Sequence, residues 1–144
     1  MIAFKPEYYP IKDNDFVNAI ITLNINRQPC SKFNDEVWNF KYYIHNKNVP
    51  SSRALIKFNH PLLDGSNLLD EKNYSLLLSI KQYLYVRFNI PKPRSGKTLG
   101  PQSLIGHFYS IMTFINYLVS KNKYKFSLFK KSDTNHFQTF IFKR

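Results

Sequence analysis

Between Lys92 and His107 the chain carries side chains suited to holding phosphate: Lys92, Arg94, Lys97 and Thr98, then Gln102, Ser103 and His107. Three cations and a hydroxyl lead into Pro101, which fits the first turn of an α-helix because that position has no helical N–H bond to lose. Free backbone N–H groups and the positive end of the helix dipole at such a start favour an anion. The expected chemistry is binding. Lys92, Arg94, Lys97, Thr98, Gln102 and Ser103 would fix phosphates, and Gln102 and His107 are of the type that reads base edges. Ser95 to Thr98, SGKT, looks like the end of a phosphate-binding P-loop. That motif needs a glycine five residues before its second glycine, where this chain has Pro91, so nucleotide binding of that kind is not expected.

Other reactive types are sparse. His45, His60, His107 and His136 fall in no metal-ligand spacing, and Cys30 is the single cysteine. No metal site, no cofactor and no internal disulfide are therefore expected, and a lone cysteine suits a reducing compartment. No nucleophile, base and orienting group can be assembled from spacing. The ten tyrosines read as packing residues with a polar tip.

Two long helices are needed to position the basic loop. Leu104, Phe108, Ile111, Ile115 and Leu118 recur at helical steps, one apolar stripe over Pro101 to Lys121. A first helix is expected from about Asp70, a suitable N-cap, to about Asn89, with Leu77, Ile80, Leu84 and Phe88 as its stripe, flanked by Leu76 and Tyr83. Pro91 and Pro93 end it. Ser132 or Asp133 would cap a last helix running to Arg144, with Phe137, Phe140 and Ile141 inward. Upstream, alternation predicts strands over Phe16 to Asn26 and Val37 to Ile44, and a short extended piece over Arg53 to Phe58. His60-Pro61 and Asp64-Gly65 read as turns.

The net charge of +12 is unevenly spread. Residues 1–71 hold eight Lys/Arg and eight Asp/Glu, whereas residues 72–132 hold eleven Lys/Arg and no acid. A compositional drift towards Lys, Asn, Ile, Tyr and Phe would raise lysine but would not strip acids from one half only. Such a field attracts a polyanion. Hydrophobic content of 43% and aromatic content of 17% exclude a wholly disordered chain. The first residues do not read as a signal peptide, and the most apolar window, Leu104 to Val119, is too short and polar to span a bilayer.

GPQSLIGHFYSIMTFINYL resembles a helix of the core-binding domain of tyrosine recombinases, the phage integrases, which commonly reads Ser-Pro-x-Thr-x-x-x-x-Leu-x-x-x-x-x-Phe-Phe-x-Tyr-Leu. Pro101, Ser103, Phe108, Phe114, Tyr117 and Leu118 fall on matching or similar positions. Ile105 and Met112 stand where that family often has a cation. The resemblance covers about residues 72–144 and implies a mainly α fold: a helical bundle like the core-binding domain over 69–144, preceded by an extension with short strands over 1–68. It implies a non-catalytic, DNA-binding N-terminal portion of a site-specific recombinase, whose cleaving tyrosine lies in a separate C-terminal domain. The partners would be double-stranded DNA, that catalytic domain and further copies on DNA, in the cytoplasm at the nucleoid, with no membrane contact. The family's bundle usually has a further helix, supplied either by more protein after Arg144 or by the N-terminal half. The alternative function is a helical protein-interaction module with an incidental basic surface. A small nucleic-acid-associated enzyme is a third reading, disfavoured by the scarcity of acids.

Overall fold

The computed structural model describes residues 19–45 and 48–142. Phe16 to Asn18 of the first expected strand, and Lys143 and Arg144 of the last helix, lie outside the described residues. Among the described residues four short strands come first: β1 (Ile20–Leu23), β2 (Pro29–Lys32), β3 (Val37–Asn39) and β4 (Leu55–Lys57). Three α-helices follow among them: α1 (Tyr74–Asn89), α2 (Pro101–Ser120) and α3 (Thr134–Phe142).

β1 pairs with β2 and β3 with β4, both antiparallel, as two separate two-stranded sheets. The first strand ends earlier than alternation predicts because Asn24 closes a turn. Its Oδ1 accepts the N–H groups of Asn26 (2.9 Å) and Gln28 (3.0 Å), and Arg27 adopts φ +60°. Ile25, expected on the inner face, is therefore exposed on the turn. β3 likewise stops at Asn39, and Lys41–Tyr43 forms a single 3-10 turn. Trp38 and Phe40 keep the predicted inward side and are fully buried.

α1 follows a 3-10 turn over Glu71–Asn73. Asp70 does not cap it with its side chain, because its carboxylate accepts the Asn67 N–H instead (2.9 Å). The helix stops before Pro91, and α2 starts at Pro101, as the prolines require. Residue pairs Arg87 with Leu99 and Tyr83 with His107 set the two helices antiparallel.

The structure corrects one expectation: the helices do not close a bundle. α2 is buried on two sides. One side meets α1. The other, carrying Ile105, Met112 and Asn116, is buried as well. Phe58, just past β4, packs its ring against Phe108 (5.6 Å), and the Leu63 N–H donates to Asn116 Oδ1 (3.1 Å). The sheets and the 58–68 loop thus occupy the place a fourth helix would take. Ile105 and Met112 are apolar because they face this interior, not solvent. Near its C-terminus α2 is enclosed all round, from Ile115 to Val119, as α3 and Phe129 close over Tyr117.

One hydrophobic cluster runs from Ile21 to Val119 and includes Trp38, Ile56, Phe58, Leu68, Leu76, Leu84 and Leu104. The boundary expected between residues 68 and 69 passes through it. Among the described residues no helix is long and apolar enough to cross a membrane.

Candidate nucleic-acid interface

The loop from Pro91 to Gly100 is folded on itself. The Lys92 N–H donates to the Lys97 carbonyl (2.9 Å) and the Gly96 N–H to the Lys92 carbonyl (2.8 Å). Gly96 sits at φ +65°, a conformation L side chains rarely adopt, so the tight turn depends on glycine there. The Leu99 N–H donates to the Arg87 carbonyl (3.0 Å) and ties the loop to the end of α1. Lys92, Arg94, Lys97 and Thr98 are consequently brought together on one exposed tip. The Lys97 backbone N–H donates to Ser95 Oγ (3.2 Å), while the side chains of the four make no ion pair or hydrogen bond among the described residues.

The tip opens onto α2. Gly100 occupies the N-cap and offers no side chain to the first amides. Gln102 and Ser103 are exposed in the first turn and line a shallow cavity of about 270 Å³ with Tyr43 to His45. The helix start therefore borders the strand module without being covered by it. His107 is placed differently from Gln102. Its ring stacks on Tyr83 of α1 (centroids 6.2 Å, 13° between planes), and the Tyr83 hydroxyl lies 3.1 Å from Nδ1. It is half-buried on the helix–helix side.

The remaining cations of the acid-free segment divide. Lys72 pairs with Asp64 (3.0 Å) and lies over the Tyr124 ring (5.3 Å). Hydrogen bonds from Ser66, aided by Lys72, hold the Asp64 carboxyl down to about 2. Lys123 pairs with Asp133 (2.6 Å), whose pKa that ammonium lowers together with the Lys130 N–H. Lys121, Lys125, Lys130 and Lys131 are exposed. They follow α2 on a segment that turns back along it, with Phe126 and Phe129 packed on Phe114 (5.7 and 4.8 Å). The exposed positive charge thus divides between the tip before α2 and the segment after it.

Two arrangements were not foreseen. Lys81 is buried, donating to the carbonyls of Phe33 (2.8 Å) and Asp35 (2.9 Å). Its ammonium lies 5.6, 6.0 and 4.7 Å from the ring centroids of Phe33, Trp38 and Phe58. Burial pushes it down to about 8, against the attraction of Asp35 and Glu36. Its position next to Ile80 and between Leu77 and Leu84 is the only sequence signal. The second arrangement is a wider cavity of about 480 Å³ between α2 and the 49–53 segment, lined in part by Arg53, Gln102 and Tyr109. No group of His, Cys, Asp and Glu that could hold a metal occurs among the described residues.

No protein-family model, curated protein or solved structure matches the chain.

Proposed function

We propose that this protein binds double-stranded DNA without catalysis of its own, as the N-terminal, core-binding-like portion of an integrase-type site-specific recombinase. The observation that carries this reading is the folded tip. Lys92, Arg94, Lys97 and Thr98 stand together, unengaged, at the uncapped start of a 20-residue helix. Phosphates would meet these four residues with the Gln102 and Ser103 amides, and Gln102 would reach a base edge. His107, held by Tyr83, would orient the α1 side of the interface. The second basic group, Lys121, Lys125, Lys130 and Lys131, stands on the segment that follows α2. A duplex lying along α2 would meet both. The recombinase assignment, and with it a C-terminal catalytic domain as partner, rests on the resemblance of α2 alone; the DNA-binding assignment rests on charge and geometry.

The test is duplex binding across a salt series. If about five cations meet phosphates, log K against log salt falls with a slope of about −4 to −5. Replacing Lys92, Arg94 and Lys97 together by Ala should weaken binding to all sequences alike and make the slope shallower by roughly 3. Salt-independent affinity, or a triple variant that binds like the parent, would overturn the reading.

A further inference from the structure

α2 contains a glycine, Gly106, one turn past Gln102, at a helix-interior position where glycine is normally destabilising. No close approach explains it. A Cβ built there meets nothing within 4 Å. The missing side chain instead faces open space in the cavity of about 480 Å³, a size within the range of small-ligand sites. Around the bare backbone stand three groups of complementary chemistry. The Tyr109 side chain lines the cavity and is 54% exposed. Arg53 is exposed on the one-turn 3-10 segment Ser51–Ala54. Gln102 lines this cavity and the neighbouring one at the α2 start. The Arg53 guanidinium, the Gln102 amide and the Tyr109 hydroxyl make no hydrogen bond among the described residues.

We infer that the cavity between α2 and the 49–53 segment receives one unpaired nucleotide of a nucleic-acid strand. An exposed aromatic ring beside a flat, side-chain-free wall suits a base, because every base has a face to stack. The Gln102 amide presents both a donor and an acceptor to the base edge. Arg53 supplies the charge for the attached phosphate. The identity of the ligand rests on the nucleic-acid reading above, and the site shares Gln102 with that interface but not the basic tip. No residue of that tip lines it.

The glycine makes the test clean. Gly106→Leu adds a side chain whose Cβ meets nothing within 4 Å, so the helix should form and the leucine should intrude on the cavity. The probe is a fluorescein-labelled oligothymidylate of about 12 nucleotides, within the usual range of single-strand site sizes. The full chain should bind it. Gly106→Leu and Tyr109→Ala should each weaken binding roughly tenfold or more, the size expected for one lost base stack. Tyr109→Phe should retain it, and the salt slope of duplex binding, set by the basic tip, should be unchanged in Gly106→Leu. If Gly106→Leu binds the oligothymidylate like the parent chain, or the parent does not bind it, the inference is overturned. A parent chain that binds this oligomer through the cavity but does not bind duplex would instead overturn the reading under "Proposed function" alone.

Discussion

Of the eleven lysines and arginines between Lys72 and Ser132, Lys81 is the one whose side chain lies inside the protein. Two carbonyls and three aromatic rings compensate the ammonium only in part, since burial still lowers its pKa from 10.5 to about 8. The folded protein therefore holds fewer protons at this site than the unfolded chain between those values. Stability contributed by Lys81 should rise as the pH climbs from about 8 to 10.5, by at most about 3 kcal/mol. Urea denaturation at pH 7 and pH 10 should reveal that rise in the parent chain and lose it in Lys81→Met; a parallel rise in both would refute it. Asp64 behaves oppositely. Its lowered carboxyl, at about 2, contributes stability above 3.8 that is lost as the pH falls towards 2. Asp64→Asn should melt lower at pH 6 and lose less on acidification than the parent, as thermal melts at both pH values would record. Neither role can be read from the sequence. A lysine beside a helical stripe usually extends to solvent, and Phe33, Trp38 and Phe58 join it only through long-range packing.

At the scale of elements, what was legible follows from proline and periodicity. Pro91, Pro93 and Pro101 set the adjoining ends of α1 and α2 to within a residue or two, because backbone chemistry alone forbids continuation. The strands were legible as extended segments but not in extent. Their ends depend on Asn24 and on the turn after Phe40, local hydrogen bonding that alternation does not record. The basic tip was legible by composition, and its fold required knowing that Lys92 and Lys97 pair through their backbones. Gly106 gives a prediction at this scale. Gly106→Ala places a methyl group where no atom lies within 4 Å, so it should stabilise α2 by about 0.5–1 kcal/mol. Thermal unfolding followed by circular dichroism would measure it, and a lower melting point would show that the backbone there needs glycine.

For the molecule as a whole, the sheets and the helices share one interior. Phe58 reaches Phe108, Asn116 holds Leu63, and Lys81 holds the Phe33–Asp35 turn. A fragment of residues 69–144 would expose Leu76, Ile105, Met112 and Phe108 together, and should fail to unfold cooperatively on its own. A sharp, two-state melt of that fragment would disprove the dependence. The sequence suggested two regions because its periodicity changes from two to about 3.6 near residue 70. A change of period marks a change of element type, and it is silent on whether the elements bury one another. Charge count is silent in the same way: it does not say how the cations divide between the tip before α2 and the segment after it. Trp38, the sole tryptophan, is wholly enclosed where the Lys81 ammonium and the Phe58 ring meet. Nature has thus installed an optical gauge at the seam: indole emission should be blue-shifted while strands and helices stay joined, and should redden the moment they part.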